Sequence, residues 1–312
     1  MPSRLSLPIV DPPHRPRLPE WLRVNLPAGK AQTTFNGTSG VVQDKGLHTV
    51  CEEAHCPNIH YCWARGTATF MIAGKECTRG CRFCSVETLK QPPPLEDEEP
   101  ARLADAIERM GLEHVVITVV NRDDLADGGA EHYKQCVEAV HRRRPNTTIE
   151  LLSSDLDGNW QSLEHLLAGI PLQVFAHNVE CVPRLDEQVR DPRASFGQSV
   201  EVLRRAKELR PDLWTKSSIM VGVGEADDEV TEAMSLLREV GVEILTLGQY
   251  LAPGRPGTRY LPVNRYVTPE QFEIWAVKAR KMGFRAVASG PLVRSSYRAG
   301  QLLEEAISGA GR

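Results

Sequence analysis

At 312 residues, 41% hydrophobic and 25% charged, the chain is long enough to bury a substantial core, and one α/β barrel can occupy most of that length. Its net charge of -4 gives no electrostatic footprint for nucleic acid or an anionic membrane surface. No apolar run approaches the ~20 residues that cross a bilayer, and the start lacks the apolar stretch of a secretory signal. Seven prolines in the first 27 residues argue against an amphipathic transit helix, so a cytoplasmic location is expected, with no nucleic-acid or membrane partner.

Residues 1 to about 45 are rich in Pro, Gly, Thr and Asn, with Trp21, Leu22 and Val24 as a compact apolar group. They predict an extended arm, 1–65 with the first cysteines included, laid over the rest of the molecule. Apolar runs at 67–74, 114–120, 148–154, 172–178, 213–222 and 244–251 then read as buried strands. Between them, apolar residues at i, i+3, i+4 and i+7 mark helices: Leu103, Ala106, Ile107, Met110; Tyr133, Cys136, Val137, Val140; Val202, Leu203, Ala206, Leu209; and Val230, Ala233, Met234, Leu237. The proline-stiffened acidic stretch QPPPLEDEEP (91–100) reads as a solvated link. Thr268-Pro269-Glu270-Gln271 opens a further helix, with Pro at its first position, that runs through Phe272, Trp275, Ala276 and Ala279 to Gly283.

Repeated strand-helix-strand units joined by right-handed crossovers build a parallel sheet. Six strands over 66–267 predict a partial (β/α)6 barrel, with 268–312 as a C-terminal helical extension. An open doubly wound sheet fits the same periodicity.

Six of the eight cysteines fall between positions 51 and 84. In a reducing compartment such clustering points to metal or cluster ligation rather than to disulfides. Cys77, Cys81 and Cys84 form C-x3-C-x2-C, directly after a predicted strand. A 4Fe-4S cluster held by three thiolates keeps one iron free of protein, open to chelation by a small molecule with an amine and a carboxylate. Arg79, Arg82 and free backbone N–H groups of the loop would favour the thiolates and a negative cluster. Zinc is the competing reading, but zinc loops usually present pairs such as C-x2-C, whereas here each group is a triplet. Cys51, Cys56 and Cys62 make the second triplet, C-x4-C-x5-C, ahead of the first long strand. Cys136, Cys181 or His55 could supply a fourth ligand to the second triplet, but Cys136, on an apolar helix face, and Cys181, after a strand, read as structural, and a lone loop histidine such as His55 is more often a surface or hydrogen-bonding residue.

These residues carry a resemblance. The strings LHTVCEEAHCPN (47–58), GTATFMIAGKECTRGCRFCSV (66–86), RDDLADGGA (122–130), HNVECVPRL (177–185), TKSSIMVGVGE (215–225), TLGQYL (246–251) and SGPLVRSSY (289–297) resemble those of the lipoyl synthases of the radical S-adenosylmethionine superfamily. The likeness runs from about Trp21 to Ala299. It implies that Cys77, Cys81 and Cys84 hold the 4Fe-4S cluster that reduces S-adenosylmethionine, and that Cys51, Cys56 and Cys62 hold an auxiliary 4Fe-4S cluster that supplies sulfur. Arg294-Ser295-Ser296-Tyr297 matches the family's R-S-S-Y, which nominates Ser296 as the fourth ligand of the auxiliary cluster. Read without the family, the same serines would cap the helix that begins in YRAGQLLEEA.

The resemblance extends, more loosely, to the cofactor. Gly128 and Gly129 would let backbone approach its methionine end, Gly222 and Gly224 its adenosine, and Asn178, Glu180 and Lys216 would hydrogen-bond to it from strand ends. Strand-to-helix turns and ordinary polar strand ends are the alternative for these positions. The implied reaction inserts two sulfurs, at carbons six and eight, into an octanoyl chain on a carrier-protein lysine. Those carbons are unactivated, so no acid or base of usable pKa removes their protons and a radical is required. Implied partners are octanoylated lipoyl domains of 2-oxoacid dehydrogenases, the glycine cleavage H protein, a low-potential electron donor and cluster-repair proteins. A radical enzyme with another sulfur acceptor and a non-enzymatic iron-sulfur or zinc regulator are the alternatives. The chain departs from the family at Cys181 (usually Thr), at Ser153-Ser154-Asp155-Leu156 (usually I-P-D-F) and at Tyr260 (usually His). These departures touch no cluster cysteine and bear on substrate handling.

Overall fold

The computed structural model describes residues 18–24, 26, 28–254 and 258–309. The proline-rich start of the expected arm, 1–17, lies outside them. Within them the arm is not extended throughout, because Lys30–Asp44 forms helix α1. Its Thr-, Ser- and Gly-rich sequence has little helical propensity, so packing carries it. Phe35 lies 5.4 Å from the Trp63 ring, and the Thr38 hydroxyl donates to the Trp63 carbonyl at 3.0 Å. Of the early apolar group Leu22 is buried, while Trp21 and Val24 are exposed.

The chain continues through strand β1 (His48–Thr49) and the short helices α2 (Val50–Glu53) and α3 (Ile59–Trp63). Strand β2 (Thr69–Ile72) leads into a loop pinned by a two-strand ladder, β3 (Glu76–Cys77) with β4 (Glu87–Thr88). Helix and strand then alternate: α4 (Glu99–Met110), β5 (His114–Val119), α5 (Ala130–Arg143), β6 (Thr148–Leu152), α6 (Trp160–Leu167), β7 (Val174–Ala176), α7 (Asp186–Val189), α8 (Phe196–Leu209), β8 (Trp214–Val221), α9 (Asp227–Glu239), β9 (Ile244–Gln249), α10 (Pro269–Lys281), β10 (Ala286–Gly290) and α11 (Ala299–Gly309). All six expected strands and the expected helices are present. Local chemistry sets their ends: Gly111 closes α4 in the left-handed region, and Thr268 caps α10 by accepting the Gln271 N–H ahead of Pro269.

The main sheet has the order β1-β2-β5-β6-β7-β8-β9-β10. β1 runs antiparallel to β2, every other neighbouring pair is parallel, and β1 and β10 are open edges, so no barrel closes. The segment expected as a helical extension therefore also lengthens the sheet, through β10. Side chains alternate between faces, as a pleated strand requires. Phe175, Leu245 and Val287 join the main core, while Val174, Ile244 and Ala286 join Leu302, Leu303 and Ala306 of α11 in a second cluster. Since those strand residues are the first of β7, β9 and β10, α11 fills the N-terminal end of the inner face. The C-terminal strand ends are left to the loops. No helix among the described residues is long and apolar enough to cross a membrane.

Candidate functional site

The first cysteine loop begins with a reversal at the end of β2. Ala73 has φ +67 and Gly74 φ +92. An alanine there is strained, and it is held from both sides: its N–H donates to Glu99 Oε2 at 2.8 Å and its carbonyl accepts from Arg122 at 3.2 Å. His132 Nε2 lies 2.5 Å from the same Glu99 oxygen. Cys136, buried as expected, brings its sulfur within 4.8 Å of these groups, which satisfy one another and brace the turn.

All eight cysteines are free thiols. In the loop, Cys77 Sγ accepts the Arg79 N–H at 3.4 Å and Cys81 Sγ accepts the Asp191 N–H at 3.3 Å. Burial pushes the Cys81 thiol up to about 11, against the Asp191 N–H and Arg190. Burial, with Cys81 and Cys77 nearby, pushes Cys84 up to about 12. Clustered, half-buried thiols of this kind release protons when a metal centre takes them.

Arg79 does not face the sulfurs. Its buried guanidinium lies between Asp123 and Asp155, at 2.8 and 2.7 Å, with Asp157 at 3.3 Å. Burial opposes its charge, but the bonds to Asp123 and Asp155 outweigh that and hold its pKa above the ordinary guanidinium value. Asp191 accepts the Gly80 N–H at 2.8 Å, and Arg193 donates to the Thr78 carbonyl at 2.7 Å. The cysteine backbone thus rests on an ionic platform that spacing alone did not reveal, although Asp123 lies within the RDDLADGGA string. Arg82 turns away to the Gln188 and Arg259 carbonyls.

Asn178 and Glu180 lie together beyond β7, with Asn178 Nδ2 donating to Glu180 Oε1 at 3.1 Å. Glu180 sits at φ +67, burial raises its pKa, and it acts electrostatically on Cys81 and Cys84. Lys216 is placed differently: its Nζ is 2.7 and 2.9 Å from the two oxygens of buried Glu150. The glycines are crowded by protein. A Cβ on Gly128 would meet Leu156 at 3.2 Å, one on Gly129 the Tyr133 ring at 2.9 Å, and one on Gly222 Gln249 at 2.1 Å. Gly224 needs its hydrogen for φ +123.

The second triplet converges as well. Thr49 caps α2 by accepting the Glu52 N–H, which sets Cys51, and the Cys56 N–H returns to the Cys51 carbonyl at 3.0 Å. His55 turns the chain between them at φ +48 and is exposed. Burial, reinforced by Cys51 and Cys56, pushes Cys62 up to about 12. Burial also raises Cys51, against the Thr69 N–H, and Cys56, against the Asn58 N–H and the nearby Arg294 charge.

The C-terminal segment reaches this triplet. Asn58 Nδ2 donates to the Leu292 carbonyl at 2.6 Å, Tyr61 stacks on Tyr297 at 6.1 Å, and Arg298 donates to the Tyr61 hydroxyl at 2.9 Å. Ser296 is not a helix cap: its Oγ accepts from the Thr69 hydroxyl at 2.9 Å, while α11 starts only at Ala299. Cys181, one of the departures, is fully buried with Sγ 3.8 Å from Asp186.

Residues 71–237 match the model of the Radical SAM superfamily, and residues 9–56 that of the N-terminal domain of lipoyl synthase. The chain is 50% identical over 292 residues to the mitochondrial lipoyl synthase of Xenopus laevis, covering 92% of this chain and 77% of that one. It is also 50% identical over 290 residues to the lipoyl synthase of Halorhodospira halophila, covering 93% and 85%. Among solved structures, methylornithine synthase superposes with TM-score 0.53 at 12% identity, over 83% of this chain and 78% of that one. The hydrogenase maturase HydG of Carboxydothermus hydrogenoformans does so with TM-score 0.53 at 15% identity, over 88% and 61%. Those two likenesses speak for the fold alone. With half its residues shared across most of both chains, and cysteine triplets gathered at the strand ends, the chain belongs to the lipoyl synthases, radical S-adenosylmethionine enzymes of sulfur transfer.

Proposed function

We propose that this chain inserts two sulfur atoms, at carbons six and eight, into an octanoyl group borne by a lysine of a lipoyl-carrier protein. The observation that carries this reading is the meeting of Ser296 with Thr69 beside Cys51. Through Thr69, which acts on Cys51, an oxygen from one end of the chain is brought beside the cysteine triplet from the other. The donor sets suit 4Fe-4S clusters: three thiols per loop, buried at Cys51 and half-buried elsewhere, with N–H groups on several of the sulfurs. Bound at Cys77, Cys81 and Cys84 a cluster supplies an electron to S-adenosylmethionine, and bound at Cys51, Cys56, Cys62 and Ser296 a second one supplies sulfur.

The protein's part is to hold and orient. The Arg79 platform fixes the first loop, and the N–H groups of Arg79 and Asp191 stabilise negative charge on its sulfurs. Asn178 and Glu180, facing that loop from β7, are the residues we assign to the polar end of S-adenosylmethionine. Lys216 supports the sheet beneath them through Glu150. Gly128, Gly129, Gly222 and Gly224 shape the turns that frame the cofactor. A serine oxygen is a harder ligand than thiolate and a weaker partner for iron in a sulfide cluster, which suits a corner that must open. Acceptors are octanoylated lipoyl domains and H protein, with a low-potential donor and cluster-repair proteins completing turnover.

Anaerobically reconstituted enzyme, given S-adenosylmethionine, a reductant and an octanoyl-lysyl peptide, should yield peptide heavier by two sulfurs as the dithiol, or by two sulfurs less two hydrogens once oxidised to the disulfide. Release of deoxyadenosine with the peptide mass unchanged would overturn the assignment.

A further inference from the structure

Trp63 is the residue directly after Cys62, and its ring is among the most deeply buried in the molecule, at 1% exposure. Yet its indole Nε1 has no hydrogen-bond partner. A buried N–H with no acceptor is rare, because it gives up water and gains nothing. The ring is not free to turn out: Phe35 packs on it at 5.4 Å, and the Trp63 carbonyl is held by Thr38.

What lies against the indole is the Cys51 sulfur, on which the Trp63 and Thr69 side chains both act. The Thr69 hydroxyl also pairs with Ser296 Oγ at 2.9 Å. The Trp63 indole is a side-chain donor beside Cys51 with no other acceptor to serve. A neutral thiol is a poor acceptor, whereas a thiolate shared with iron is a good one, so the orphan N–H finds its partner when the site is loaded.

We propose that the Trp63 indole N–H is a hydrogen-bond donor to the Cys51 sulfur in the cluster-loaded protein, and that it positions that sulfur and sets the potential of the auxiliary centre. The inference rests on the reading that Cys51, Cys56 and Cys62 hold a cluster. Hydrogen bonds to cluster sulfurs stabilise the more negative, reduced state and raise the reduction potential.

The test uses full-length protein in which Cys77, Cys81 and Cys84 are alanine, so that iron bound after reconstitution reports the second triplet alone. Trp63→Phe should move the potential of that cluster to a more negative value and speed its loss to a chelator. Benzothienylalanine at position 63, which keeps the bicyclic shape and replaces N–H with sulfur, guards against a packing defect and should move the potential the same way. An unchanged potential in the benzothienylalanine protein overturns the Trp63 proposal and leaves the cluster reading intact. Failure of the parent protein to bind iron and sulfide overturns the cluster reading itself, and this inference with it.

Discussion

The Thr69 hydroxyl donates to Ser296 Oγ at 2.9 Å across 227 positions of sequence, and Thr69 also faces Cys51. This bond joins the C-terminal segment to the N-terminal triplet, alongside the Asn58–Leu292, Tyr61–Tyr297 and Arg298–Tyr61 contacts. Removing it from the fold costs about 1 kcal/mol, the net worth of one hydrogen bond. Removing a cluster ligand has a far larger effect on chemistry. Ser296→Ala should therefore leave the thermal midpoint within a few degrees of the parent, keep S-adenosylmethionine cleavage, and abolish lipoyl product. Product formation at the parental rate would strike Ser296 from the ligand set.

The Arg79 platform makes a different kind of prediction. Arg79→Met leaves Asp123 and Asp155 facing each other without their cation, and breaking such a buried arrangement from one side costs about 3–5 kcal/mol. Urea unfolding of the metal-free protein should show a loss of that size, and reconstituted protein should hold less iron on the first loop. Burial raises the Asp155 pKa, but Arg79 outweighs it and holds the group below the ordinary carboxylate value. The pair's stabilisation is therefore present above about pH 4 and fades as pH falls through the folded value. Asp155→Asn should flatten that acid limb.

Much of this was legible in the sequence, and what was not has physical reasons. The six apolar strands declared themselves because each is buried on both faces. β10 did not, because Ala286-Val-Ala-Ser-Gly290 is built of small residues that leave room for α11 and the C-terminal loop rather than marking a strand. Helix α1 was hidden because its helicity comes from Phe35 and Thr38 packing on Trp63, not from its own composition. Cysteine spacing located both loops, since ligands on one loop are local. Thr69, Asp155 and Asp191 act across long separations that no local pattern records. Gly128, Gly129 and Gly222 also answer a packing need, since a Cβ there would meet Leu156, Tyr133 and Gln249, which sequence does not show.

His177 is a buried imidazole on the helix side of the sheet, held by the Ser153 carbonyl at 2.8 Å and by Ser199 Oγ at 3.0 Å. Burial lowers its pKa from 6.5 to about 4, despite Asp155 nearby. The unfolded chain thus binds a proton between those values and the folded one does not. Stability from this group is full above pH 6.5 and declines toward pH 4, by about 3 kcal/mol at about 1.4 kcal/mol per unit. Chemical unfolding of metal-free protein at pH 7 and pH 5 should record the decline, and His177→Gln should remove that part of the slope while lowering stability at pH 7. A slope unaffected by the substitution would assign the pH dependence to other groups.

Lys216 and Glu150 form an ion pair that is 1% and 2% exposed, with His114 beside it. Two readings of Lys216 differ in what the pair is for. A lysine that binds S-adenosylmethionine would be missed whatever stands at 150, whereas a lysine whose charge serves Glu150 would be missed only while Glu150 remains. Lys216→Met alone leaves a buried carboxylate unpaired and should cost about 3–5 kcal/mol. Replacing Glu150 with Leu in the same chain removes the orphaned charge and should restore most of that stability, since well-packed apolar residues commonly match a buried ion pair. The double variant, reconstituted and titrated with S-adenosylmethionine, should bind it within about threefold of the parent, less than ~1 kcal/mol. A double variant that regains stability but loses cofactor affinity by orders of magnitude would return Lys216 to the cofactor and leave Glu150 as the residue that positions it.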